Sequence, residues 1–205
     1  DSSTSRGLGD VYKRQGFEYA VNEDIKTGGL NKYLVRPVNY FAYRFFDYMG
    51  EKSVQMGLLV LVSTGLIGFS AAFLGLELSV GRIAAFFVSL VLAVILNFLI
   101  FYCVALVSFW LTDVHLIFGT VSVVLVVISG GVFPMDIFGK TAAFLISLLP
   151  FGYTTQFPVN IVNGKLLWAQ VGSGFVCQIL WIAVFFVLAK VLWAKGLKRF
   201  AAVGG

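Results

Sequence analysis

The chain has 205 residues, of which 59% are hydrophobic and 12% are charged, and its formal net charge is +5 at pH 7. A soluble domain is nearer half apolar and a quarter charged, so this composition excludes an ordinary soluble domain and favours a protein surrounded by lipid. Most basic residues flank apolar segments, a distribution that orients membrane proteins and predicts no nucleic-acid partner. The two cysteines, Cys103 and Cys177, lie inside apolar runs and are interpreted as small buried hydrophobic residues.

Three parts are predicted along the chain. Residues 1–15 include the stretch SRGLGDVYKRQ, which resembles translated adapter sequence at the ends of metagenomic gene sequences. We therefore expect residues 1–15 to be foreign to the natural protein, and the natural chain to begin further upstream. Residues 16–53 are mixed and polar and are predicted to form a cytoplasmic loop, and residues 54–200 are predicted to form a transmembrane domain.

Four apolar segments in this domain are long enough to cross a hydrocarbon core of about 30 Å as helices. They are Val54–Leu76, Ile83–Leu111, Val114–Phe133 and Val171–Trp193. Backbone that faces lipid must satisfy its hydrogen bonds within its own segment, which favours helices. The predicted fold is all-α, a polytopic bundle of transmembrane helices.

The segment between the third and fourth spans, Pro134–Gln170, has a different pattern. Its apolar run Thr141–Leu149 is too short to cross the membrane and is bracketed by prolines. Pro158 and the pair Asn163-Gly164 are expected to break the helical structure of the chain that follows. These features predict a short re-entrant or interfacial helix and a looped return before the last span.

The basic residues predict an orientation. Five lie between Gly16 and the first span and three follow the last span, whereas the opposite side carries only Arg82, Lys140 and Lys165. Because cytoplasmic loops carry an excess of lysine and arginine, both ends of this chain are predicted to be cytoplasmic and residues 134–170 external.

Polar and small residues inside the spans have two interpretations each. The amides of Asn97 and Gln178 should face the bundle interior, where they either bond other helices or line a substrate path. In the first span, Thr64, Gly68 and Ala72 recur every four residues, which permits close helix packing within the chain or along a dimer seam.

No catalytic, cofactor or metal site is predicted. Asp113 and His115 supply fewer ligands than a metal site needs. The chain has one histidine and carries no HExxH motif or Gly-rich phosphate loop, so most general-base chemistry is excluded. A membrane-embedded enzyme would need a titratable cluster within the spans, and the two amides do not form one.

The most informative cytoplasmic stretch runs from Glu23 to Pro37 and reads EDIKTGGLNKYLVRP. Its two glycines predict a turn. Leu30, Leu34 and Val38 then follow at four-residue spacing, which predicts a short amphipathic helix that Pro37 ends or kinks. The stretch is interpreted either as an interfacial helix on the lipid surface or as a docking element for a soluble partner.

Three segments in this order resemble the permease subunits of type-two ATP-binding-cassette exporters, and most closely a bacterial group associated with drug and antibiotic export. They are EDIKTGGLNKYLVRPVNYF, SGGVFPMDIFGK and LLPFGYTTQFPVNIVNGK. The resemblance covers residues 18–200. It implies six spans, of which this chain would lack the first two. It also implies a cytoplasmic loop that contacts an ATPase, and re-entrant extracellular helices before the last span.

The resemblance also implies roles and partners. The residues that match the ATPase-coupling loop are Asp24, Gly28, Gly29, Leu30, Tyr33, Leu34, Arg36 and Pro37. Those that match the extracellular re-entrant motif are Ser129, Gly130, Pro134, Pro150 and Phe151. The implied partners are a cytoplasmic ATP-binding-cassette ATPase and a second permease subunit in the bacterial cytoplasmic membrane. The alternative is a non-transporting multi-pass membrane scaffold or sensor subunit.

Overall fold

The computed structural model describes residues 16–73, 79–111, 114–128 and 148–203, and within these ranges the chain is helical and contains no strand. The helices are α1 (Phe17–Lys26), α2 (Asn31–Leu34), α3 (Tyr40–Phe73), α4 (Val80–Leu106), α5 (His115–Ile128), α6 (Gln156–Val162) and α7 (Trp168–Val203). A 3₁₀ turn, Val107–Phe109, extends α4, and a second, Pro150–Tyr153, precedes α6. The predicted all-α helical membrane fold is confirmed.

Helix α4 lies at the centre and packs against α7, α6 and α1. Two helical stretches in the described part of the chain are each long and apolar enough to cross a membrane. They are Val80–Phe109, with a mean hydropathy of 2.9, and Trp168–Phe200, with a mean hydropathy of 2.4. They correspond to the second and fourth predicted spans, and each begins three residues before the predicted start.

Helices α3 and α5 correspond to the first and third predicted spans. Helix α3 begins at Tyr40, well before the predicted start at Val54, and the last residues of both predicted spans lie outside the described ranges. The Thr64 hydroxyl donates to the Val60 carbonyl of its own helix at 2.7 Å, and a Cβ at Gly65 would meet no neighbouring atom. Neither observation gives the predicted small-residue stripe a partner among the described residues near Thr64, and the contacts of Gly68 and Ala72 lie outside what the structure describes.

The two ends of the bundle have different partners. At one end, the Phe98 ring of α4 lies 4.8 Å from Phe17 of α1, and Tyr40 of α3 stacks on Trp193 of α7 at 5.2 Å. At the other end, the Arg82 guanidinium donates to the carbonyl of Leu166 at 3.0 Å and lies over Trp168. Residues 16–53 thus fold against the same end of the bundle as the C-terminal part of α7.

Of the two breaks predicted after the third span, the one at Pro158 is wrong and the one at Gly164 is confirmed. Pro158 lies in the first turn of α6, where a backbone N–H has no partner within the helix, so it does not interrupt the helix and that prediction is wrong. Gly164 has φ +71°, a left-handed conformation that glycine adopts without a steric penalty, and α6 ends just before it. Most of the predicted Thr141–Leu149 run lies outside the described residues.

Candidate partner-coupling segment

Helix α1 fixes the start of the segment predicted to contact a partner. Its residues Phe17, Val21 and Ile25 recur every four positions and are buried, so α1 is an amphipathic helix with one face against the bundle. This helix was not predicted from the sequence, although the four-residue spacing of these three residues indicates it. Because α1 is packed, the segment that follows begins from a fixed position.

A tight turn joins α1 to α2. The Thr27 hydroxyl donates to the Glu23 carbonyl at 2.8 Å, and the Leu30 N–H donates to the Asp24 carbonyl at 2.8 Å. Gly28 has φ +77°, and a Cβ at Gly29 would lie 3.0 Å from Oδ1 of Asp24. The predicted glycine turn is confirmed, and each glycine has its own reason: one needs the left-handed conformation, and the other leaves room for a carboxylate.

A buried ion pair anchors the turn to α3. Asp24 and Arg44 are 7% and 6% exposed, and the Arg44 guanidinium pairs with the Asp24 carboxylate. The Tyr40 hydroxyl donates to the same carboxylate at 2.9 Å, and Arg44 also pairs with Asp47 at 2.8 Å. Burial raises the pKa of Tyr40, so its hydroxyl stays protonated and keeps donating. This network satisfies both buried charges.

Aromatic rings enclose the ion pair. The Tyr33 ring lies 5.0 Å from the rings of Tyr40 and Tyr43, and the Arg44 guanidinium lies 5.3 Å from the centre of the Tyr43 ring. A guanidinium next to a ring face is attracted by the ring quadrupole, more strongly where water is excluded. Tyr33, which was predicted from the motif, therefore forms part of the packed base of the segment.

The tip of the segment is exposed and apolar. Leu30 is fully buried, but Leu34, Val35 and Val38 are 46%, 81% and 45% exposed. A short helix forms here and ends before Pro37, as predicted. Helix α2 covers only Asn31–Leu34, however, so the predicted extent from Leu30 to Val38 is wrong. Arg36 and Pro37 are also exposed, so the eight predicted residues form a buried base and an exposed tip.

A polar cavity of about 590 Å³ lies beside α1 and contains Asn97. Glu18, Glu51 and Lys52 also line it. Burial raises the pKa of Glu18, and the negative charge of Glu51 adds to that shift. The Asn97 Oδ1 atom is buried and accepts no hydrogen bond from the described residues. Asn97 therefore faces α1 and α3 across this cavity.

Gln178 is fully buried and joins three elements. Its Nε2 donates to the Ser89 carbonyl of α4 at 3.0 Å and to the Tyr153 carbonyl at 3.1 Å, and its Oε1 accepts from the Ser89 hydroxyl at 3.3 Å. Tyr153 ends a 3₁₀ turn, where backbone carbonyls lack helical partners. Irregular backbone at membrane depth is tolerated where protein satisfies it, and Gln178 does so here.

The predicted extracellular motif is only partly described. Ser129, Gly130 and Pro134 lie outside the described residues. Pro150 is buried, and Phe151 packs against a cluster of α4 and α5 side chains. The Pro150–Tyr153 turn therefore packs against α4 and α5, and its part in an extracellular re-entrant segment stays a prediction.

Long apolar helices around α4, with buried polar contacts between them, define a helical membrane protein. The family model for ABC-2 family transporter protein matches residues 6–204, and the chain belongs to that family. The resemblance to type-two permeases is confirmed, and the chain is a transport permease located in a membrane. Its comparison with curated proteins and with solved structures gave no match. The matched range begins within residues 1–15, and the foreign origin of that stretch stays a prediction.

Proposed function

We propose that this chain is the permease subunit of an ATP-driven exporter in the bacterial cytoplasmic membrane. ATP hydrolysis would take place in a separate cytoplasmic ATPase, and a second permease, either a copy or a paralogue, would complete the transport path. The coupling segment, residues Asp24–Pro37, would transmit the movement of the ATPase to the spans.

The observation that carries this proposal is an exposed apolar tip on a rigid base. Leu34 and Val35 are exposed at the end of the bundle that carries α1, whereas Asp24 and Leu30 are buried directly beneath them. Exposed apolar side chains rimmed by polar residues are typical of protein interaction sites. Arg36 adds a positive charge that would pair with an acidic groove on the ATPase.

A series of contacts connects the exposed tip of the coupling segment to the first span. Arg44 pairs with Asp24 in the segment and belongs to α3, which runs without interruption from Tyr40 to Phe73. A flexible linker would absorb a displacement of the tip, whereas a packed base and a continuous helix transmit it. A permease changes access only if its two states make different contacts, and the ATPase would supply that difference here.

The proposal is tested with Val35→Asp, at an 81% exposed position, in the chain co-expressed with its ATPase. Burying a carboxylate at the contact should reduce recovery of the ATPase with the permease and lower ATP hydrolysis by the complex. The matched control is Val80→Asp, which is 80% exposed at the opposite end of the bundle. Leu34 and Arg36 are left unchanged because they also line a groove described below.

If the Val35→Asp chain inserts normally while ATPase recovery and hydrolysis equal those of the control, the segment is not the coupling element. A membrane scaffold or sensor subunit would give a different result. The ATPase would still be recovered with the chain, but the rate of ATP hydrolysis would be the same with and without the chain.

A further inference from the structure

A groove of about 560 Å³ lies between the coupling segment and the part of α7 that runs from Phe186 to Trp193. Its floor is aromatic, because the rings of Tyr40 and Trp193 stack there with an interplanar angle of 14°. Tyr40 is in turn fixed by its hydrogen bond to Asp24. The volume is within the range of sites for small amphiphilic ligands, and the stacked floor gives the groove a defined shape.

Two cations line this groove from opposite sides. Arg36 comes from the coupling segment and Lys190 from α7. Neither forms an ion pair with an acidic residue in the part of the chain that the structure describes. Lys190 lies inside the apolar run of the last span, with its ammonium 4.6 Å from the centre of the Phe186 ring. A charge at that depth needs an anionic partner or must extend to the membrane surface.

An apolar surface continues from the groove along α7. Phe186 and Val187 are 37% and 60% exposed and lie one turn before Lys190 on the same side of the helix. This places a positively charged groove directly beside a surface suited to hydrocarbon chains. Basic pockets between helices near the membrane surface bind anionic lipid headgroups for this reason.

We propose that the groove binds an anionic phospholipid, with the phosphate between Lys190 and Arg36 and an acyl chain along the exposed side of α7. A zwitterionic lipid brings a cation of its own near these two residues, and free phosphate has no acyl chain, so both should bind less well. A guanidinium has five N–H donors, so Arg36 would hold the phosphate and still pair with a partner ATPase.

The test measures thermal unfolding of the detergent-purified chain during titration with phosphatidylglycerol, phosphatidylcholine or inorganic phosphate. Phosphatidylglycerol should raise the unfolding temperature in a saturable way, since a ligand that binds only the folded state stabilises it. Arg36→Gln with Lys190→Gln should weaken that affinity at least about tenfold, because each basic residue near an anionic lipid contributes to binding. Lys198→Gln with Arg199→Gln is the matched control, since both residues are exposed beyond the groove.

Equal affinity in the two double variants would overturn the proposal, as would a shift by phosphatidylcholine or phosphate as large as that by phosphatidylglycerol. A second measurement does not depend on the groove variants. Trp193 fluorescence is recorded in a chain whose other three tryptophans are replaced by Phe. Brominated phosphatidylglycerol should quench it more than brominated phosphatidylcholine, and equal quenching contradicts a specific lipid site.

Discussion

Asp24 and Arg44 bring two opposite charges into a largely aromatic interior, where each charge is compensated because the Arg44 guanidinium donates a hydrogen bond to the Asp24 carboxylate. Lys32 also lies 3.7 Å from the Asp24 carboxylate, but its side chain is 57% exposed. A buried charge that loses its partner costs far more than an exposed ion pair contributes, because water no longer solvates it. Arg44 and Lys32, which both lie near the Asp24 carboxylate, therefore differ greatly in how much they contribute to stability.

We expect Arg44→Met to lower the free energy of unfolding by about 3–5 kcal/mol, since it leaves Asp24 buried without its main partner. Adding Asp24→Asn should recover more than half of that loss. The control, Lys32→Met, should cost less than about 1 kcal/mol. Thermal unfolding in detergent measures all three, and equal losses for Arg44→Met and Lys32→Met would contradict the importance of the buried pair.

Gln178 and Asn97 look alike in the sequence but have different surroundings. Gln178→Leu removes two donated hydrogen bonds and leaves the Tyr153 carbonyl without this donor, so it should cost about 1–2 kcal/mol. Asn97→Leu removes an oxygen that accepts no hydrogen bond from the described residues, so its effect should lie within about 0.5 kcal/mol. Unfolding of the two variants side by side checks this, and a larger loss at Asn97 would show that the cavity holds a bound partner.

Two glycines of α7 let aromatic rings of neighbouring elements pack directly against its backbone. A Cβ at Gly174 would overlap the ring of Phe157 in α6, and one at Gly196 would overlap the ring of Phe109 at the end of α4. Close approach of a ring to a helix backbone at both ends holds α7 against the rest of the bundle. In contrast, a Cβ at Gly172 would meet no neighbouring atom.

Gly196→Ala should therefore lower the free energy of unfolding by about 1–3 kcal/mol, because the Phe109 ring has to move. Gly172→Ala on the same helix should be neutral or stabilising by up to about 1 kcal/mol, since alanine is the better helix former. Thermal unfolding measures both variants, and we expect the change in unfolding free energy to have opposite signs in the two. Two stabilised variants would mean that α7 does not pack closely at Gly196.

Apolar length predicted the starts of Val80–Phe109 and Trp168–Phe200 to within three residues, because an uninterrupted apolar run has few alternatives to a membrane-crossing helix. It did not predict the start of α3, which lies at Tyr40 in a polar stretch. The sequence did not predict α1, whose three buried residues are spread through a polar stretch. It also did not predict the Asp24–Arg44 pair, since two charges 20 residues apart meet only once α1 and α3 have packed together. The glycine turn followed from residue type alone, whereas the predicted length of α2 is wrong because the helix ends at Leu34 and does not reach Val38. Whether the segment couples to an ATPase stays a prediction.

At the scale of the whole molecule, the two ends of the bundle differ in the number of lysine and arginine residues that they carry. The end formed by residues 16–53 and the C-terminal part of α7 carries Arg44, Lys52 and Lys195 among its basic residues, whereas the described basic residues of the other end are Arg82 and Lys165. Positively charged loops are retained in the cytoplasm, so the first end should be cytoplasmic and the second external. The ATPase contact proposed for Asp24–Pro37 depends on this orientation, since ATP is available in the cytoplasm.

Cysteine labelling in intact cells tests the orientation at Lys32 and Lys165, which are both exposed in the structure. The native Cys103 and Cys177 are first replaced by Ala, and Lys32→Cys and Lys165→Cys are then introduced separately. A membrane-impermeant maleimide should label position 165 in intact cells and position 32 only after the membrane is opened. Comparable labelling of both positions in opened membranes serves as the control for reactivity. Labelling of position 32 but not position 165 in intact cells would invert the topology and place the coupling segment where no cytoplasmic ATPase reaches it.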